Sequence, residues 1–262
     1  MKRVSGFAAL AGLLAGVGVI LWAHAALGGD LRTFVQWEAI AVVGGGTLAA
    51  LLVSFPVRAL AGAAAGLRDL VGRTPPPLET LVPAFMNYAR KARRQGLVAL
   101  ERDAESEHDS FLARALTLSA SGMNPDILRE ALDLEARVHA EREEERAQVL
   151  EAAAGYAPTL GIVGAVLGLM RVMQQFSQAN VGDGIAAAFV ATIYGVGAAN
   201  LLLLPLATRL RGRARLDALR RDLVIDGVLT LREGASPTMI EERLAGYLAR
   251  QHRAAPPMAE VA

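Results

Sequence analysis

Four runs of this chain carry no Asp, Glu, Lys or Arg, and each is long enough to cross a lipid bilayer: residues 4–23, 39–57, 152–170 and 185–208. A helix needs about 20 apolar residues to span a hydrocarbon core of roughly 30 Å. Lipid offers no partner to a bare backbone amide, so a span must satisfy its own hydrogen bonds as a helix or within a closed barrel. No β-rich segment stands out, which leaves helices. With 53% hydrophobic and 20% charged residues overall, the charges must be concentrated between and after these runs.

The first run follows Lys2 and Arg3 and ends near Ala23-His24-Ala25, which looks like a signal-peptide cleavage site. Signal cores are about 7–15 residues long, so the run is expected to stay as an anchor. Basic residues near span ends favour the cytoplasm. Lys2 and Arg3 precede the first span, and Arg209, Arg211, Arg213 and Arg215 follow the fourth. The short connections 24–38 and 171–184 hold few charges, whereas 58–151 is long and rich in both signs. This distribution predicts both termini and the 58–151 segment inside, with the two short connections outside. The expected fold is an all-α integral membrane protein: four transmembrane helices, with a helical cytoplasmic domain from the second connection and C-terminal tail. By position the chain divides into 1–57 (first helix pair), 58–151 (cytoplasmic), 152–208 (second helix pair) and 209–262 (cytoplasmic tail).

Inside the long connection, Arg73-Thr74-Pro75-Pro76-Pro77 is a stiff break. Leu81, Phe85 and Tyr88 then recur at helical spacing, and 110–119 is helix-like. Asn124-Pro125-Asp126 combines a capping side chain, a first-turn proline and an acid at the positive end of the dipole. Leu216, Leu219, Leu223 and Val224 mark another amphipathic helix, and Ser236-Pro237 opens a last one. The interspersed charges suit a solvated helical surface rather than a nucleic-acid patch, so no nucleic-acid partner is expected.

Several chemistries are set aside. Without cysteine there is no disulfide, Cys–zinc site, iron–sulfur cluster or thiol nucleophile. His24, His108, His139 and His252 show no metal-ligand spacing. Gly44-Gly45-Gly46 lacks the following Lys-Ser/Thr of a phosphate loop, and no GxSxG elbow occurs. Neither an enzyme, a metal nor a cofactor is expected.

The spans say more. Gly12–Gly16, Gly164–Gly168 and Ala157–Gly161 are small-xxx-small pairs, which allow close helix approach within the chain or between subunits. Pro158 and Pro205 each remove a backbone donor inside a span and are expected to kink it. Thr159, Thr192, Tyr194 and Asn200 bring polar groups to membrane depth, where ordinary interhelical hydrogen bonding competes with any ion-path role. No span contains an ionisable acid or base, although proton and cation paths commonly use one. If ions move here, another subunit supplies the carboxylate.

The stretch from Ala157-Pro158-Thr159-Leu160-Gly161 through Gly168-Leu169 resembles the third span of the MotA/TolQ/ExbB proton-channel family. Thr192-Ile193-Tyr194-Gly195, with Asn200 and Pro205-Leu206-Ala207, resembles the fourth span of its flagellar branch, and Arg93-Arg94-Gln95-Gly96-Leu97 through Glu101 is similar to its cytoplasmic motif. The resemblance implies a flagellar motor stator subunit with five copies around two MotB-type one-span chains, each bringing a membrane aspartate. It further implies a bacterial inner-membrane location amid lipid and torque delivered to the rotor protein FliG. Pro158, Thr159, Ala165, Thr192, Tyr194 and Pro205 then fall on the ion path and its conformational coupling. Arg93 and Glu101 fall on the rotor-facing charges, with Arg90, Lys91 and Arg94 beside them. Sodium-driven relatives carry a second threonine where this chain has Ala165; one oxygen fewer disfavours a hard cation, so H+ is expected rather than Na+. Two other readings stand beside this one: a TolQ/ExbB-like energiser of envelope transport, and a non-conducting membrane scaffold.

Overall fold

A computed structural model describes residues 4–72, 77–174 and 181–254. Lys2 and Arg3, residues 73–76 of the proline-rich break and residues 175–180 of the third connection lie outside the described residues. Every regular element among those described is helical. Helix α1 is Val4–Ala26, α2 covers 37–54, α3 is Val57–Gly72, α4 is Leu81–Gln95, α5 is Glu101–Ser106 and α6 is Ser110–Ala120. Then come α7, Pro125–Gln174; α8, Val181–Gly197; α9, Leu204–Arg232; and α10, Pro237–Ala254. Three described helical stretches, Leu31–Ser54, Pro125–Gln174 and Ala188–Arg232, are long and apolar enough to cross a membrane; a shorter apolar stretch, Leu10–Ala26, lies in α1.

Local chemistry sets the boundaries. The second apolar run was expected to reach Val57, but α2 stops at Ser54. Phe55 is extended (φ −132°, ψ 146°) because Pro56 clashes with a helical residue before it. A new helix, α3, then starts at Val57. Asn124 caps α7 as expected, its side-chain oxygen accepting from Asp126 N at 2.8 Å, and Ser236 Oγ accepts from Met239 N at 3.2 Å at the start of α10. The two prolines behave differently. Helix α7 stays α-helical through Pro158. Pro205 instead follows a π-helical segment, Ala198–Leu203, in which the Leu204 N–H reaches back to the Ala199 carbonyl. The wider turn makes room for a ring that would otherwise strike the preceding carbonyls.

The chain falls into two compact units, 1–74 with 144–210 and 75–143 with 211–262. In the first, Leu51, Ala59, Ala63, Val149 and Ala153 form one small cluster and Ala147, Leu150, Ala207 and Leu210 another. The second has a single large core built on Phe85, Leu100, Leu112, Leu116, Leu128, Leu132, Leu223, Val228, Ile240 and Leu244, all essentially without exposed surface. Of the expected positions, Leu81, Phe85, Leu219, Leu223 and Val224 lie in it and Tyr88 packs against it, whereas Leu216 is half-buried outside it.

Candidate functional site

In the first unit, α7 and α8 meet through residues almost without side chains. A Cβ built on Gly195 would lie 2.4 Å from the Ala157 carbonyl oxygen and 3.0 Å from Pro158 Cα. One on Gly161 would lie 2.8 Å from the Ala191 carbonyl oxygen, and one on Gly168 2.7 Å from Ala188 Cβ. At Gly195 and Gly161 the contact is with backbone, at Gly168 with the Ala188 methyl and Cα, and Ala157, Ala188 and Ala191 are buried beside them. The small pairs Ala157–Gly161 and Gly164–Gly168 thus pack against α8 of the same chain. Gly16 of the first-span pair meets the Leu201 side chain, whereas Gly12 meets nothing.

This seam brings together Pro158 and Thr192 among the expected ion-path residues. Thr192 Oγ1 donates across it to the Gly161 carbonyl at 3.4 Å. Ala165 is buried on the same helix. Thr159 is exposed, opposite the seam, and its hydroxyl turns back to the Tyr156 carbonyl at 2.8 Å. It shares an exposed stripe of α7 with Ile162, Val163, Val166, Leu167 and Met170. The Tyr194 hydroxyl donates to the Phe34 carbonyl in the short 3-10 turn Leu31–Phe34. Asn200 donates within its own helix to the Val196 carbonyl at 2.9 Å, and Pro205 is exposed. One hydroxyl pair went unforeseen: Ser54 and Tyr156 are 2.8 Å apart. Ser54 gives its proton to the Ala50 carbonyl, so Tyr156 is the donor to Ser54.

The second unit holds the expected rotor-facing charges. Helix α4 ends at Gly96, whose φ of +80° reverses the chain at little steric cost. The 3-10 turn Leu97–Leu100 then leads into α5. Arg93 and Arg94 stand on the last turn of α4 and Glu101 on the first turn of α5. Arg90, Arg93, Arg94 and Glu101 are exposed, with no ion pair to another described residue. Lys91 differs: half-buried, it pairs with Asp103 at 2.7 Å. Nearby, the Tyr88 hydroxyl donates to Glu107 at 3.3 Å, and burial together with the Glu107 and Asp103 charges pushes the Tyr88 phenol up to about 12.

Further polar ties hold α6, α7 and α9. Asp109 caps α6, accepting from Phe111 N at 3.0 Å, and its other oxygen pairs with the buried Arg220 at 2.8 Å. His139 pairs with Asp217 at 2.7 Å and Arg221 with the same carboxylate at 3.2 Å. Burial raises the Asp217 pKa, but these two neighbours outweigh it and leave the carboxyl below its usual range. Asp109 directly precedes an apolar run, a capping signal legible in the sequence. Its partner Arg220 is not, because the two are far apart along the chain.

A model of the MotA/TolQ/ExbB proton channel family matches residues 103–222. Motility protein A of Bacillus subtilis is 33% identical over 217 residues, covering 82% of this chain and 80% of that relative. The chain belongs to the MotA/TolQ/ExbB proton channel family. Chemotaxis protein PomA of Vibrio alginolyticus is 30% identical over 94% of this chain and 97% of its own. The structure of the flagellar MotAB stator complex from Bacillus subtilis contains a chain similar in fold, with TM-score 0.80 and 30% identity, covering 92% of this chain and 96% of that one. These motility relatives assign the chain to the MotA-type branch of the family and favour the stator reading over the TolQ/ExbB one. It is an all-helical membrane protein of that branch, located in the bacterial inner membrane.

Proposed function

We propose that this chain is the ion-conducting subunit of a flagellar stator, crossing the inner membrane four times with both termini inside. Five copies surround two MotB-type one-span chains, each bringing the aspartate that the spans here lack. Protons pass at that interface, and the resulting movement drives FliG through Arg93, Glu101 and their neighbours. No cofactor takes part.

The observation that carries this reading is the seam between α7 and α8. Backbone contact at Gly195 seats Pro158 against a second helix, and a threonine hydroxyl lies across the joint. A proline leaves its helix one internal hydrogen bond short, so a small change of tilt there costs less than elsewhere. A partner carboxylate that gains and loses a proton against the exposed face of α7 can bias such a joint. Thr159 and the adjacent apolar stripe offer that face to lipid or protein.

The test is complementation of a strain lacking this gene. Wild type should restore swimming, while Pro158→Ala and Pro205→Ala should restore membrane complex but little motility. Swimming speed should follow the proton gradient and ignore the sodium gradient. Normal swimming in the deletion strain, with an envelope-transport defect, would establish the TolQ/ExbB-like alternative instead. Silent proline variants in fully assembled complex would favour a non-conducting scaffold.

A further inference from the structure

Resting on that reading, we propose that Lys91 and Asp103 are positioning residues: their ion pair clamps α4 to α5 and so fixes how the exposed rotor-facing charges are presented. The two rotor-facing sets sit on either side of one turn. Arg93 and Arg94 end α4, Gly96 reverses the chain, and Glu101 opens α5. Their spacing therefore depends on the angle of that corner.

Two kinds of contact hold it. Beneath, Phe85, Ala89, Leu100 and Ala104 anchor both helices in the apolar core. Above, Lys91 Nζ meets Asp103 Oδ2 at 2.7 Å with both side chains about 30% exposed (31% and 28%), three residues before Arg94 and two residues beyond Glu101. A second tie runs parallel. Tyr88 donates to Glu107, whose other oxygen accepts from His108 N at 2.8 Å and Asp109 N at 3.2 Å. The Lys91 ammonium is thus engaged inside the chain, while Arg90, Arg93, Arg94 and Glu101 stay open to a partner. A contact residue reaches the rotor through its own charge; a clamp works whichever partner carries which sign.

Charge exchange separates the two roles in the full chain expressed with its partner. Lys91→Asp and Asp103→Lys should each cut torque per stator by about threefold while complex abundance in the membrane stays near wild type. The double exchange should recover most of the torque, and Lys91→Arg should keep it. Failure of the double exchange to rescue, with abundance intact, would make Lys91 a rotor contact and overturn the clamp. Normal torque in both single variants would overturn it as well, as would abundance falling in step with torque. Arg93→Glu and Glu101→Arg, measured in parallel, test the underlying reading separately: unchanged torque there would refute the rotor surface itself.

Discussion

The two units of this molecule solve the problem of helix contact in opposite ways. In the first, α7 and α8 touch through Ala157, Gly161, Ala188, Ala191 and Gly195, and large apolar side chains such as Ile162, Val166 and Phe189 point away. In the second, the large side chains turn inward, with Phe85, Leu112 and Ile240 buried, and ion pairs, one half-buried at Lys91 and one through the buried Arg220, tie the helices. On the proposed topology, with the first unit in lipid and the second in water, the difference follows from the solvent. Lipid tails are as apolar as leucine, so burying leucine between membrane helices gains little, and close backbone approach must supply the attraction. Water drives large apolar groups inward at about 25 cal/mol per Å² of surface removed. A joint made of small residues also leaves few interlocked side chains to resist a change of helix tilt, which suits the unit expected to move.

The largest test falls on the second unit. Phe85→Ala should destabilise it by about 3–5 kcal/mol, because the ring is fully buried and a packed core relaxes only partly around the space it leaves. Gly227 shows how closely that space is filled: a Cβ there would lie 2.7 Å from the Phe85 ring. Hydrogen exchange should accelerate in α4, α6 and α10 and stay unchanged in α8. Equal acceleration in α8 would mean that the units do not differ as their cores do.

Gly195→Ala strikes the other kind of joint. One methyl group aimed at a carbonyl 2.4 Å away must force the helices apart, for about 1–3 kcal/mol. Thermal melting of the purified complex measures the loss. Gly155, on the same helix pair with nothing within 4 Å, is the control, and Gly155→Ala should leave the melting temperature unchanged or raise it. If the two alanines behave alike, close approach does not hold the seam.

Thr192→Val is a smaller change at the same place. It keeps the shape and removes one hydrogen bond, at 3.4 Å, to the Gly161 carbonyl. Such bonds between membrane helices contribute about 0.6 kcal/mol on average. Stability should barely move, while motility should drop further than stability does if the hydroxyl serves the ion path. A variant that swims as wild type would make Thr192 a spectator.

How far the sequence disclosed these features depends on the range of the contacts involved. Asn124 and Ser236 announced their helices because a cap acts over three residues. The small pairs on α7 announced close contact, but period and composition do not say with what; the answer, α8 of the same chain, needs residues some thirty positions away. The uncharged run 39–57 outlasts its helix because hydropathy does not notice that Pro56 forces Phe55 out of the helix. Lys91 looked like its exposed basic neighbours, since Asp103 lies across a chain reversal that helical periodicity cannot cross. Thr159 and Thr192 both stood out as membrane hydroxyls, yet helix geometry puts Thr159 on the face opposite the joint.

The smallest effect expected at neutral pH belongs to the polar surface of the second unit. Tyr88 is held protonated to about 12 by burial and by the Glu107 and Asp103 charges beside it. An unfolded chain releases that proton near its ordinary value of about 10. Stability from this group is therefore complete below about 10 and lost as pH rises from there to about 12. The site is half exposed, so solvent screening reduces the contribution to about 1 kcal/mol. Tyr88→Phe should flatten the alkaline side of the stability curve over that window and leave neutral pH nearly untouched. The measurement is thermal melting against pH, paired with an ultraviolet titration that follows phenolate formation. If the variant loses stability over the same alkaline range as wild type, the loss comes from other groups and Glu107 does not hold the phenol as the geometry implies.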